Sequence, residues 1–351
     1  MLKDNREKNT PKSFFSQGAY GCVMYPRIRC DGSVSKSKKK EMSKIVENIP
    51  LSDNEIKMGK KINELMKGKS YKPLIGVYRH CKVKKQAVKK YNNCNIIRND
   101  HDYDSKFFIL YSKFIDSDKL RTHMKKQDFD NNSFLHVYIS VLDGLSILIN
   151  NNIVHNDFTE NNIIVSKNDE KHVHIIDFGM SVCIDDFIED NDVLYNYLFQ
   201  DLFWYDHNYV YWSFDRQLIG FMIKYNKKPS NKELYSMISK YYSNRNNILF
   251  HKTDYFKDYI QKTYDMYLDS FLMSKSLEVC IYKLLSYTSK TWDLYSFGYL
   301  LLKYLLNNSI LDKNKLKPII NMCKQAIHYD YTKRPSIAKH KESYKLVTGN
   351  L

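Results

Sequence analysis

Between Ile153 and Val165 the chain reads IVHNDFTENNIIV, and after the polar run SKNDEK comes a second apolar stretch ending in HIIDFGMS. Two short apolar runs around a polar turn predict a hairpin, Ile163–Val165 against His172–Ile176. Asp157 precedes Asn162 by five residues in the loop before the first strand, and Asp177 follows Asn162 by fifteen, at the end of the second strand. The hairpin brings Asn162 and Asp177, each at a strand end, close together. Three oxygen-bearing side chains then converge from two loops. Carboxylate and amide oxygens suit a hard ion such as Mg²⁺, and a further carboxylate can accept or orient a hydroxyl proton. Phosphoryl transfer from a nucleotide needs that set. Either aspartate alone reads as an ordinary turn residue; the joint spacing carries the inference.

The rest of the chain is compatible with such a site. Its 351 residues, 43% hydrophobic and 27% charged, describe a globular chain of one large domain or two lobes and exclude collagen, mucin and wholesale disorder. No uninterrupted apolar run reaches the ~18 residues of a membrane span. The start, MLKDNREKNT, has charges with no apolar core behind it, so no secretory signal is expected. The seven cysteines form no C-x-x-C pair and are odd in number, which favours reduced thiols in a cytoplasmic protein over a disulfide framework or a zinc site. The net charge of +16 is mostly lysine, spread along the chain. Readers of bases and phosphates usually favour arginine, so nucleic acid is not expected as the primary partner. The joint excess of Lys, Asn, Ile and Tyr points to A/T-rich codons, with attraction of acidic substrates the other reading of the charge.

Along the chain, residues 1–13 read as a polar tail. A strand-like stretch with a glycine turn, FFSQGAYGCVMYP, follows, and Ser52 with Glu55 has the pattern of a capping box opening a helix. Residues 71–115 read as short strands separated by a basic turn, KVKKQAVKK. From Ser133 the period becomes helical, with Leu135, Ile139, Leu142, Leu145 and Leu148 on one stripe. The shift from strand-rich to helix-rich places a lobe boundary near residue 116.

H-x-D-x-x-x-x-N followed by D-F-G resembles the catalytic and metal-binding loops of the protein kinase superfamily. The resemblance implies Asp157 as catalytic base, Asn162 and Asp177 as metal ligands, and His155 as a packing residue. Upstream, Ser16–Val23 resembles the phosphate-covering glycine loop with Ser in place of its first glycine. There Gly18, Ala19, Tyr20 and Gly21 would lie along the phosphates and Val23 over the adenine. Lys44, in MSKIV, fits the phosphate-binding lysine. Its helix partner is Glu55 rather than Glu64, because residues nine apart lie about 900° around a helix, on opposite faces. Glu55 shares its face with Met58, Gly59, Ile62 and Met66, and Glu64 lies among lysines. Phe107–Ser112 resembles the strand leading to the hinge, with Lys113 and Ile115 meeting adenine through backbone groups. TWDLYSFG resembles the helix whose Asp293 braces the catalytic loop. Asp330-x-x-x-Arg334-Pro335 resembles a motif whose Arg334 would pair with Asp215 of YWSFD.

The resemblance implies an α+β, bilobal fold. A small antiparallel-sheet lobe with one helix (14–115) precedes a larger, mainly helical lobe (116–351), with the nucleotide between them. About 75 residues separate Asp215 from Asp293, so a helical insertion is expected near 216–290, with helices starting at Pro229-Ser230-x-x-Glu233 and after Thr253. The implied activity is ATP- and Mg²⁺-dependent (or Mn²⁺-dependent) transfer of γ-phosphate to Ser or Thr hydroxyls of protein substrates, acidic ones among them. Codon bias, insertion and GAYGCVMYP together resemble the serine/threonine kinases of large nucleocytoplasmic DNA viruses, which would place the protein in a host cytoplasm or a virion. Two departures bear on activity. Asn156 replaces the Arg that reads an activating phosphate, so activity without priming is expected. Thr159 replaces the Lys that neutralises the γ-phosphate, a contact whose loss can cost on the order of 10²–10³ in rate. The alternatives are a catalytically weak or dead scaffold of the same fold and a kinase-like small-molecule phosphotransferase.

Overall fold

The computed structural model describes residues 14–349 except 19–20, 38, 101, 103–105, 170–171, 191, 195–198, 246–247, 249–252 and 274–275. Ala19 and Tyr20 of the glycine loop therefore lie outside the described residues, as does the tail 1–13. The chain divides into two units, Met1–Ser117 with Ile176–Gly179, and Asp118–Ile175 with Met180–Leu351.

In the N-terminal unit the elements run β1 (Phe14–Gly18), β2 (Gly21–Met24), β3 (Glu41–Glu47), α1 (Pro50–Leu65), β4 (Leu74–Ile75), β5 (Arg79–Lys84) and β6 (Lys106–Lys113). Five strands form one antiparallel sheet in the order β1-β2-β3-β6-β5. Register decides which side chains meet. Val23 lies opposite Lys44, and Lys44 opposite Leu110, so the three share a face. Val46, Phe108 and Leu110 of that face pack with Ile56 of α1 and with Val77. The other face buries Cys22, Ile45, Ile109 and Tyr111 with Val88, Tyr91 and Ile97. Gly21 is needed for packing, since a Cβ there would lie 2.5 Å from the Ile45 carbonyl oxygen.

Three expectations need correction here. KVKKQAVKK is not a turn: it finishes β5 and forms one helical turn, Lys85–Val88, which covers the sheet because Val88 and Tyr91 are apolar and buried. α1 begins at Pro50, two residues before Ser52. Ser52 donates to the Glu47 carbonyl (2.6 Å), so no capping box with Glu55 forms. Four of the seven cysteines are not reduced thiols. Cys22 is bonded to Cys94 (Cα–Cα 5.8 Å) and Cys30 to Cys81 (6.1 Å). The partners are 72 and 51 residues apart in sequence, and the sheet and its covering segment bring them together. Local spacing carries no sign of that. Cys183, Cys280 and Cys323 are buried and free.

The C-terminal unit is mainly helical. Its longest helix, Asn131–Asn150, is capped by Asp130, which accepts from the Ser133 amide at 2.8 Å. It is long and apolar enough to cross a membrane by composition, but Leu135, Val141, Leu142, Leu145 and Leu148 are buried within the unit. The helix Trp292–Asn307 is buried on nearly every side. Gly298 lets a neighbouring helix close on it, since a Cβ there would meet Ala326 Cβ at 2.8 Å. The expected hairpin is present, Ile163–Ser166 pairing with Val173–Ile176. A further two-stranded pair, Ile153–Val154 with Val182–Cys183, flanks the loop that carries Asp157. Helices Phe214–Tyr225, Asn231–Ser243, Thr253–Tyr267 and Leu277–Thr288 fill the stretch from Ser213 to Asp293. Ser230 and Glu233 form a complete capping box. The whole is an α+β protein, with antiparallel sheet in its N-terminal part and a mainly helical remainder.

Candidate active site

Within the N-terminal unit, Lys44 points to the α1 side of the sheet because residues of one strand alternate in direction. Its ammonium lies 3.0 Å from each carboxylate oxygen of Glu55 and 3.1 Å from Oδ1 of Asp177. Burial works against the Lys44 charge, but Asp177 and Glu55 override it and hold the ammonium above its ordinary pKa. Burial raises the Glu55 carboxyl, and Lys44 offsets only part of that. The Asn54 amide donates to the Gly179 carbonyl (2.9 Å), so α1 fixes the Asp177–Gly179 turn directly through Asn54, and Glu55 reaches Asp177 through the shared Lys44 ammonium. Asp177 itself has φ of +64°, a conformation Asp tolerates better than most residues. Among the described residues, a Cβ on Gly18 would meet just the Gly21 oxygen, at 3.8 Å, an ordinary contact. Lys113 ends β6 opposite Glu41, the Phe114 amide donates to the Lys40 carbonyl (2.9 Å), and the Ile115 carbonyl accepts from Ser117 Oγ (3.0 Å).

Within the C-terminal unit, the loop His155–Asn162 is fixed from inside. Buried Asp293 accepts from the amides of His155 (2.7 Å) and Asn156 (3.2 Å), so the expected brace is present. Burial raises the Asp293 carboxyl above its ordinary range. His155 is wholly buried, edge-on to Phe158. Asn162 Nδ2 donates to Asp157 Oδ2 (2.8 Å) and to the Asp157 carbonyl (2.9 Å). The other carboxylate oxygen, Oδ1, accepts a short hydrogen bond from the Tyr209 hydroxyl. Because Asn162 spends its amide nitrogen on Asp157, its Oδ1 is left as a hard oxygen donor. An amide oxygen of this kind suits a hard ion such as Mg²⁺ or Mn²⁺. Thr159 is buried, and its hydroxyl accepts from the Asn161 amide at 3.3 Å.

Asn156 adopts φ of +62° and is buried. Its amide donates to the carbonyls of Met180 (3.1 Å) and Leu202 (2.8 Å), and its Oδ1 accepts from Arg216 Nε (2.9 Å). Arg216 is fully buried, bonds the Leu202 and Trp204 carbonyls, and stacks 3.8 Å from the Trp212 ring. Burial lowers its pKa to about 9. Arg245, just after the helix Asn231–Ser243, is equally buried. It donates to the carbonyls of Tyr209, Val210, Trp212 and Tyr241. Arg245 thus holds the stretch that delivers Tyr209 to Asp157. Below it, Asp215 and Arg334 form the expected ion pair (2.6 and 3.1 Å), with Tyr267 and Trp292 also donating to Asp215. Burial would raise the Asp215 carboxyl, but Arg334 overrides it and holds the pKa below the ordinary value.

The family description "Protein kinase domain" matches residues 18–200, just over half of the chain. The chain belongs to the protein kinase family. No curated protein matches it. The matched span takes in the glycine loop from Gly18 onward, Lys44, Glu55, Asp157, Asn162 and Asp177, which are positions the sequence motifs single out. Tyr209, Arg216 and Arg245 lie beyond it, and sequence reasoning missed them. One signal was available. Asn156 stands where an Arg is usual, and Arg216, directly after Asp215, is a cation in the same segment as Tyr209.

Proposed function

We propose that this kinase-family chain is an active, ATP- and divalent-metal-dependent protein kinase acting on Ser or Thr hydroxyls, without prior phosphorylation. The observation that carries the reading is the fixing of Asp157, with both carboxylate oxygens engaged, by Asn162 and Tyr209. In the proposed reaction the substrate hydroxyl oxygen bonds the γ-phosphorus, the bond from that phosphorus to the β–γ bridging oxygen breaks, and ADP leaves. Asp157 takes the hydroxyl proton as the new bond forms. Lys44 holds phosphate oxygens, with Glu55 keeping its ammonium in place, and Val23, Lys113 and Ile115 contact the base. The ion held by Asn162 and Asp177 would supply charge neutralisation at the phosphates.

Independence from a priming phosphate follows from Asn156 and Arg216. They already bind the carbonyls of residues 180, 202 and 204, so no phosphate is needed to order them. The codon bias and the insertion support a viral origin. Thr159 favours the second reading, a scaffold that binds ATP without turnover, because that position contributes no cation to the γ-phosphate.

The test is transfer of labelled γ-phosphate with Mg²⁺ or Mn²⁺, before and after phosphatase treatment of the kinase, with Asp157→Ala alongside and phosphoamino-acid analysis of the product. Transfer to Ser or Thr, unchanged by phosphatase and down by about 10²–10⁴ in the variant, is expected. ATP binding with no transfer would establish the scaffold instead.

A further inference from the structure

A cavity of about 460 Å³ lies in the C-terminal unit, walled by the turn around Arg121 and by the helix Trp292–Asn307. Four cations line it, Arg121, Lys125, Lys126 and Lys303, against one carboxylate, Glu160. That carboxylate is engaged by the Tyr211 hydroxyl, and Lys126 lies 3.4 Å from Asp118. Arg121, Lys125 and Lys303 are exposed and make no ion pair among the described residues. The floor is shaped by Met124, Leu300 and Tyr304, the last donating to the Met124 carbonyl at 2.5 Å. Such a concave cationic surface over an apolar floor concentrates anions and binds carboxylates through charge-assisted hydrogen bonds.

Its position ties it to Asp157. Glu160 follows Asp157 by three residues in the same loop, a span of at most about 11 Å. Tyr211 follows Tyr209 by two residues, and each hydroxyl is anchored on that loop, on Glu160 and Asp157 respectively. An extended peptide covers about 3.3 Å per residue, so a side chain two to four residues from an acceptor hydroxyl at Asp157 reaches the cavity.

We infer that this cavity is a docking subsite for an acidic side chain of the protein substrate, two to four residues from the phosphorylated hydroxyl. The inference rests on the kinase reading and adds its substrate class. The anion can be an Asp or Glu carboxylate or the phosphate of a residue phosphorylated earlier. One field serves both.

The test uses the full chain and peptides identical except at those positions, which carry Asp, phosphoserine, Arg or Ala. In the wild type, kcat/KM is expected to be at least about tenfold higher for the Asp or phosphoserine peptide than for the Ala peptide, and lowest for Arg. A ratio above one for Asp alone or phosphoserine alone identifies which anion is read. In the double variant Arg121→Glu/Lys303→Glu the order should invert, with Arg above Asp. Because each ratio is taken within one preparation, partial loss of folded protein does not affect it. A flat or Arg-preferring wild type, or ratios unmoved by charge reversal, would overturn the subsite. A second readout needs no turnover: fluorescence anisotropy of labelled Asp peptide. Binding that is lost on charge reversal, with no transfer to any peptide, would sink the kinase reading and keep the subsite. No binding and no transfer would sink both.

Discussion

In the N-terminal unit the Lys44 ammonium lies between two carboxylates, Glu55 and Asp177, whereas in the C-terminal unit Asp157 takes its hydrogen bonds from an amide and a phenol. The surroundings differ in the same way. Lys44 keeps 19% of its side chain exposed and Asp177 42%, so that contact is partly solvated, whereas Glu55 is buried. The segment delivering Tyr209 is held by Arg216 and Arg245, both buried, which bind carbonyls and an amide oxygen and have no carboxylate partner among the described residues. Under the proposed function, opposite charges suit a group that would still have to accept a phosphate, because solvent and ligand can share the ammonium. Carbonyl dipoles suit a segment that must stay in place. A buried cation satisfied by several of them has no competing counter-ion to move to.

That contrast can be broken most forcefully at the buried Asp215–Arg334 ion pair of the helical unit. Arg334→Met leaves Asp215 buried without its cation and is expected to cost about 3–5 kcal/mol. Thermal melting should show the loss, while the folded fraction still binds ATP. A melting curve like that of the wild type would mean that Tyr267, Ser213 and Trp292 suffice for Asp215.

Lys44→Met should do the reverse. Transfer is expected to fall on the order of 10²–10³ with little change in melting, because the lysine is partly solvated. A large drop in melting temperature with modest kinetic loss would make the Lys44–Glu55–Asp177 contact structural.

His340 sharpens the comparison through pH. Its ring is fully buried, 2.7 Å from the Tyr138 hydroxyl, and burial lowers its pKa to about 4. The unfolded chain therefore binds this proton first. Stability is complete above about pH 6.5 and falls as pH drops toward about 4, by roughly 3 kcal/mol. Unfolding by urea from pH 7 to pH 4 should show this slope in the wild type and a shallower one in His340→Gln. Parallel slopes would remove His340 as the cause.

The smallest effect is expected at Tyr209→Phe, which removes one hydrogen bond to a carboxylate, about 1.5–3 kcal/mol. A fall in kcat of about tenfold or somewhat more should appear with KM for ATP unmoved. A faster variant would mean that the phenol restrains Asp157 rather than positioning it.

Legibility followed the same division. Glu55 could be chosen over Glu64 in advance because a helix turns by about 100° per residue, so nine residues of separation put the two on opposite faces, and that of Glu55 is the apolar one. The hairpin, the Asp293 brace and the Asp215–Arg334 pair were legible because each rests on a spaced motif. The Ser52 capping box failed because Pro50 starts the helix earlier and the Glu47 carbonyl takes the Ser52 hydroxyl. The basic turn failed because burial of Val88 and Tyr91 outweighed the lysines between them. The cysteine pairs and Tyr209 left no local sign.

By itself the sequence determined the family, the α+β class and the identity of the residues expected to handle phosphate and proton, because those depend on local periodicity and fixed spacing. Tertiary structure alone decided that Tyr209 caps Asp157, that Arg216 and Arg245 hold its segment, and that four scattered cations share one cavity. The reason is physical. A buried arginine is satisfied by whichever carbonyls the packing presents, and a field is a sum over charges that only the fold brings together.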